Sequence, residues 1–319
     1  MVSAIGRALV TGVAGFIGSR LAGELLERGV EVVGIDSLSD YYDPRIKRAN
    51  VAALTARGLA FVEGDLNALD LAALVDADVV FHLAGQPGVR QSWGSEFRNY
   101  TRDNVEATQA LLEAVKGSPR VRRLVYASSS SVYGSAERFP TLETDRPRPL
   151  SPYGVTKLAA EHLCGLYAES FGLPAVTLRY FTVYGPGQRP DMAFHRFITA
   201  ALRGEPIRVY GTGEQVREFT YVDDVVRATL LAAERGLAPG AVINVSGGAS
   251  VSVAETLAVI ERIHGAPLRI AREAAAPGDV HRTGGSVELA AELLGWAPEV
   301  GIEDGLEAEY RWLRAAPAG

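Results

Sequence analysis

The run Ala8-Leu9-Val10 followed by Thr11-Gly12-Val13-Ala14-Gly15-Phe16-Ile17-Gly18 constrains this chain more than any other feature. A short apolar strand passes straight into spaced glycines, and a helical pattern from Ser19 to Arg28 follows, closed by Gly29. A second apolar strand, Val30 to Ile35, stops at Asp36. Glycines so placed let the backbone approach a pyrophosphate, which rests on the positive end of the helix dipole. A carboxylate closing the second strand can accept both hydroxyls of an adenosine ribose and repels a 2′-phosphate, which favours NAD over NADP. Arg45 and Lys47 nearby keep the phosphorylated cofactor open. A tight turn without ligand and an ordinary loop aspartate are the alternatives.

The alternation continues. Ala60-Phe61-Val62, Asp78 to Leu83, Arg123 to Ser128 and Ala175 to Arg179 read as strands apolar on both faces. Helical stretches lie between them, notably Asn99 to Lys116 and Tyr153 to Phe171. This predicts an α/β fold: a doubly wound parallel sheet of the Rossmann kind, covered on both sides. After Arg179 the texture changes. Gly, Pro and Arg become frequent, as in Tyr184-Gly185-Pro186-Gly187-Gln188-Arg189-Pro190, and helices shorten. We expect an NAD-binding domain over 1–178 and a smaller, substrate-binding C-terminal lobe over 179–319. Val242 to Val245 returns to the sheet, a strand near 241–246 that interleaves the two.

Composition removes several classes of function. A net charge of −6 argues against a nucleic-acid partner. Cys164 is the only cysteine and the five histidines show no ligand spacing, so neither a disulfide framework nor a metal site is expected. No apolar run approaches the ~18 residues of a membrane span. The start, Met1 to Arg7, lacks the charged head and long apolar core of a signal peptide. The expectation is a soluble, cytoplasmic protein of 319 residues, long enough for a large core or two lobes.

Further motifs sit at strand ends. Gly64-Asp65-Leu66 follows the third strand, where an adenine edge would lie. His82-Leu83-Ala84-Gly85 follows the fourth, and His82 reads as a packed or backbone-bonded residue rather than a ligand. Ser128-Ser129-Ser130-Ser131-Val132-Tyr133-Gly134 ends the fifth strand and puts an uncharged polar floor beside the crevice. Tyr153 and Lys157 share one helix face four residues apart. Lys47, Lys116 and Lys157 are the only lysines of an arginine-using chain, so an ammonium kept at that spacing calls for a reason. Beside the phenol it would favour the ionised form and make Tyr153 a proton acceptor. Alone, the Tyr-x-x-x-Lys spacing is common.

Taken together, the glycine fingerprint, the serine-rich strand end and Tyr153-x-x-x-Lys157 resemble the extended short-chain dehydrogenase/reductases. Within them the chain looks like the nucleotide-sugar 4-epimerases over essentially its whole length. The resemblance implies that Tyr153 takes the proton of a sugar 4-hydroxyl while hydride passes to bound NAD. Lys157 supports it and binds the nicotinamide ribose, and Ser129 shares the hydrogen bond. The 4-keto sugar then turns over between the lobes and is reduced on its other face. Gly12, Gly15, Phe16, Ile17, Gly18, Asp36, Asp65, Leu66, Leu83, Ala84, Gly85 and Asn104 are expected around NAD, with Tyr153 and Lys157. The family's pairing of two long helices per subunit implies a homodimer.

Local differences narrow the sugar. Related 4,6-dehydratases carry an Asp-Glu pair where Ser130-Ser131 stand, and UDP-glucuronate decarboxylases a glutamate in this strand end that is absent here. The segment from Arg179 to Met192 looks very like that of UDP-glucuronate 4-epimerases, with Thr182 where most relatives have asparagine. The expected reaction therefore interconverts UDP-glucuronate and UDP-galacturonate. Ser130, Ser131 and Thr182 would hold the carboxylate as neutral donors. Arg189, Arg217 and Arg282 would hold the pyrophosphate, and Arg90 would lie on a substrate-proximal loop. A UDP-glucose/UDP-galactose epimerase, a UDP-glucuronate decarboxylase and a non-catalytic NAD-binding scaffold remain as alternatives.

Overall fold

The computed structural model describes residues 5–248, 250–274 and 282–315. Residues 1–4, on which part of the signal-peptide reading rests, lie outside them. The chain opens with β1 (Arg7–Thr11), α1 (Phe16–Glu27), β2 (Glu31–Asp36), α2 (Pro44–Thr55), β3 (Ala60–Glu63), α3 (Leu71–Leu74) and β4 (Val79–His82). The expected long helix that follows is interrupted. α4 (Phe97–Thr101) and α5 (Ala107–Gly117) flank a π turn at Arg102–Glu106. Then come β5 (Arg123–Ser129), α6 (Pro152–Phe171) and β6 (Ala175–Tyr180). The remainder holds β7 (Val183–Tyr184), α7 (Ala193–Arg203), β8 (Ile207–Tyr210), β9 (Val216–Glu218), β10 (Thr220–Tyr221), α8 (Val222–Glu234) and β11 (Val242–Val245). It ends with β12 (Ser250–Ser252), α9 (Val253–His264), β13 (Ile270–Glu273), α10 (Glu288–Leu294) and α11 (Ile302–Ala315).

Seven parallel strands form the central sheet in the order β11-β6-β5-β4-β1-β2-β3. Two-residue alternation splits their side chains between two cores. Ala8, Val10, Val79, Phe81, Val125 and Val176 face one cluster with α1 and α8. Leu9, Val80, Leu124, Tyr126 and Ala175 face the other, with α5 and α6. Continued toward the carboxyl ends, this second face turns polar at Thr11, His82, Ser128 and Arg179. The crevice opens there.

Part of the stretch 179–319 packs against the central sheet. Val222 to Leu237, β11 and the stretch Ala290 to Trp296 belong to the sheet's own core. What stands apart is a third cluster of α7, β8, α9 and α11, built on Tyr184, Phe194, Ile198 and Ile260. Nor do the helices shorten after Arg179: α8 has 13 residues and α11 has 14, against 12 in α1. Among the described residues no helix is long and apolar enough to cross a membrane.

Candidate active site

Two adjoining cavities lie along the carboxyl ends of the sheet. The first, of about 230 Å³, is lined by every residue expected around the cofactor, from Gly12 to Lys157. Its floor is the glycine loop. Gly12 has φ +70°, and a Cβ there would lie 2.7 Å from the backbone nitrogen of Ala84. A Cβ on Gly18 would lie 2.1 Å from the carbonyl oxygen of Gly12, so α1 packs onto the loop only because residue 18 is glycine. Gly15 caps α1 without a side-chain hydrogen bond, which leaves the helix's first N–H groups pointing at the cavity. Asp36 is held by accepting hydrogen bonds from the Ala14 N–H at 3.0 Å and the Leu38 N–H at 2.8 Å. Arg45 turns away to pair with Asp43, and Lys47 donates to Ser39. Lys47 nevertheless stays on the wall of this cavity, close enough for Asp36 to act on its charge.

The π turn has a use here, as such turns often do. It carries Asn104, whose Oδ1 accepts from the Gln86 N–H at 2.7 Å and whose Nδ2 donates to the Gln86 carbonyl and to Thr156 Oγ1. Asn104 therefore ties the loop after β4 to α6. A Cβ on Gly85 would sit 2.7 Å from that same Oδ1. His82 is bonded by side chains, not by backbone: Nδ1 meets Thr11 Oγ1 at 2.8 Å and Nε2 meets Thr108 Oγ1 at 2.9 Å. Burial and the nearby Lys157 push its pKa down to about 3, so the ring stays neutral.

Tyr153 stands in the first turn of α6, where Ser151 accepts from the Gly154 N–H at 3.1 Å and Pro152 presets the helix. Burial raises its pKa, while a hydrogen bond with Ser129 and the charge of Arg189 draw it back down. Lys157 lines the same cavity one helical turn on. Its Nζ lies 4.5 Å over the ring of Tyr126, and burial pulls its pKa down to about 8. Arg189, pinned to Asp191 at 2.9 Å and 3.0 Å, also eases ionisation of Tyr153. Tyr41 completes this corner, its ring 5.9 Å from the Arg189 guanidinium. Burial, with Asp191, pushes its phenol up to about 12.

The second cavity, of about 680 Å³, opens from this corner into the other lobe. Thr182, Arg90 and Arg217 line it, and Arg189 lines the first. Arg90 lies over Tyr210 at 4.3 Å. The remaining expected substrate residues fall outside both. Ser130 and Ser131 form a short helical turn after β5, and the Ser131 N–H is spent on Ser129 Oγ. Arg282 is exposed and stacks on Phe139 at 4.9 Å, against β9 through a bridge to Val216. Its guanidinium is used on a ring at the rim rather than in the cavity.

Sequence reasoning missed what lies beneath the serines. Glu161 of α6 accepts from Ser128 Oγ at 2.9 Å and pairs with Arg179 of β6, both nearly inaccessible to water. Arg179 also donates to Tyr133, whose hydroxyl donates to Asn244 on β11 at 2.7 Å. Buried, fully hydrogen-bonded ions of this kind hold one geometry. The signal was available: Glu161 stands one helical turn beyond Lys157, on an otherwise buried face.

A model of the NAD dependent epimerase/dehydratase family matches residues 8–246. The chain belongs to this family. Like it, the UDP-glucuronic acid 4-epimerase of Bacillus cereus, solved with UDP-glucuronic acid and NAD, shares the architecture. It is 43% identical, with a TM-score of 0.93 over 97% of this chain and 99% of that one. Among curated proteins, an uncharacterized UDP-glucose epimerase of Bacillus subtilis, YtcB, is 40% identical over 98% of this chain and 99% of its own. UDP-glucuronate 4-epimerase 1 of Arabidopsis thaliana is 38% identical over 95% of this chain and 76% of its own. The glycine cradle and the held Asp36 suit the NAD on which this epimerase/dehydratase family depends.

Proposed function

We propose that the chain is a UDP-glucuronate 4-epimerase that interconverts UDP-glucuronate and UDP-galacturonate. The observation that carries this is the full-length likeness, at 43% identity, to an enzyme solved with UDP-glucuronic acid and NAD. The position of Tyr153 on the wall of the first cavity, which meets the second at Tyr41, supports it. Bound NAD supplies reversible hydride acceptance at the sugar C4. The chain supplies the rest. Tyr153, as phenolate, accepts the proton of the 4-hydroxyl, and Ser129 shares that hydrogen bond. Lys157, buried below on the same helix, braces the cofactor side. Arg189 and Arg217 hold the nucleotide diphosphate, and Arg90 lies along the same wall.

A uronate oxidised at C4 is a β-keto acid that loses carbon dioxide readily. Thr182, on the wall of the second cavity, meets such a carboxylate as a neutral donor, whereas Ser130 and Ser131 stand behind that wall in the turn after β5. Asp191, a carboxylate on the wall of the same cavity as Thr182, is already paired with Arg189. The purified protein, given UDP-glucuronate and no added NAD, should release UDP-galacturonate resolvable by chromatography. UDP-xylose or a 4-keto pentose would make it a decarboxylase. A second reading, a UDP-glucose/UDP-galactose epimerase, draws on the B. subtilis relative's name; turnover of UDP-glucose alone in the same assay would favour it.

We also infer a cytoplasmic homodimer. Val155 (48% exposed) and Leu166 (54%) leave an apolar stripe on the outer face of α6, beside Phe97 (38%). Helices that expose such stripes commonly pair.

A further inference from the structure

Glu309 lies on α11, and its side chain is completely buried. Its Oε2 accepts a hydrogen bond from the Gly185 N–H at 2.9 Å, while its Oε1 meets no partner among the described residues. The phenols of Tyr184 and Tyr221 face it from β7 and β10. Around that pair stand Asp224 at the start of α8 and Asp304 on α11, with Asp223 and Arg20 acting on Tyr221. The other helices packed on α11 spend their titratable groups elsewhere. His195 of α7 meets Trp312, His264 of α9 bonds Tyr310, and Arg262 pairs with Glu303. Besides burial, only the Gly185 N–H acts on the Glu309 carboxyl; it favours the ionised form, but burial outweighs it. An ionised carboxylate there would be buried without a counter-charge, whereas the neutral acid costs far less. Burial accordingly pushes its pKa up to about 8.

What it holds is a turn that leads into the site. Gly185 has φ +127°, and a Cβ there would lie 2.9 Å from the Tyr221 ring. Its carbonyl accepts from the Gln188 N–H at 3.0 Å. Gln188 in turn donates to the Val183 carbonyl and accepts from the His195 N–H. Arg189 comes next, the residue whose charge draws the Tyr153 phenol down. His195, on the flank of this turn, is held below its ordinary range by burial.

We propose that Glu309, as the neutral acid, is a positioning residue that anchors the Gly185 turn and so keeps Arg189 set against Tyr153, and that its ionisation releases the turn. The inference rests on the reading of Tyr153 as the base. Its sign follows from linkage. The native pKa is raised above that of the unfolded chain, so stability falls as pH rises from about 4.3 to the native value and is level above it. Glu309→Gln keeps a carbonyl acceptor for Gly185 and cannot ionise.

The test compares kcat of wild type and Glu309→Gln across pH, on whichever UDP-sugar the wild type turns over, with thermal unfolding in the same buffers. The ratio of variant to wild-type kcat should rise on the order of tenfold between about pH 7 and pH 9. The variant's Tm advantage should grow from acid pH to about pH 8. Parallel profiles in both measurements would overturn the proposal. A wild type inactive on every UDP-sugar defeats the proposed function, and the Tm comparison then decides Glu309 alone. Should Glu309→Gln not fold, the infrared spectrum of wild type decides. A buried carboxylic-acid band present at neutral pH and lost by about pH 9 supports the anchor, and its absence at neutral pH refutes it.

Discussion

Tyr153 carries a raised pKa in a site meant to use it as a base, and the residues around it say how that is managed. Burial pushes the phenol up; Ser129 and Arg189 push back. Only the ionised phenol accepts a proton, so removing Arg189 raises the pKa further and leaves less base at any given pH. We expect the acid limb of the Arg189→Gln kcat profile to move to higher pH by about one unit. An unmoved limb, measured at saturating UDP-sugar, would count against Arg189 in this role. The Tyr153–Lys157 spacing was legible in the sequence because a lysine is rare in this chain and a helix face is simple geometry. Ser129 as its hydrogen-bond partner was legible too, from the strand end, but the influence of Arg189 was not. Arg189 arrives from a loop that bends twice at positive-φ glycines, Gly185 and Gly187, and no local pattern predicts where such a loop delivers a side chain.

At the scale of elements, the strands of the central sheet and their ends are legible nearly to the residue, because a strand buried on both faces writes itself as a short, unbroken apolar run between turn residues; the short strands of the second lobe were not. The predicted run Ala175 to Arg179 became Ala175–Tyr180, and Val242 to Val245 is unchanged as β11. The π turn in the Asn99 helix was invisible, since its cause is Asn104 reaching sideways to Gln86 and Thr156. So was the ion pair joining α6 to β6. Glu161→Ala would leave Arg179 buried without its carboxylate, and we expect a loss of about 3–5 kcal/mol in denaturant unfolding. A loss under about 1 kcal/mol would mean that water reaches Arg179 instead.

For the whole molecule, composition and alternation announced two lobes but not their seam. Residues 222–237 read as second-lobe helix from their position in the chain, yet they cover the first sheet. Chain order is a poor guide where a strand returns late. The stripe on α6 predicts association: wild type should run as a dimer in light scattering, and Leu166→Arg, which places a charge at a residue 54% exposed in one subunit, should run as a monomer while staying folded. A dimer that survives Leu166→Arg unchanged would move the interface elsewhere.

The late return of β11 to pair with β6 bears on how such a protein can change. A cut after β6 would strip that strand of its neighbour and bare a row of unpaired backbone groups. Neither half could be traded for a relative's as a ready-made part, since each would arrive with a missing seam. New sugar preferences in this lineage must therefore be reached by substitutions around the crevice, one side chain at a time, rather than by shuffling of whole lobes.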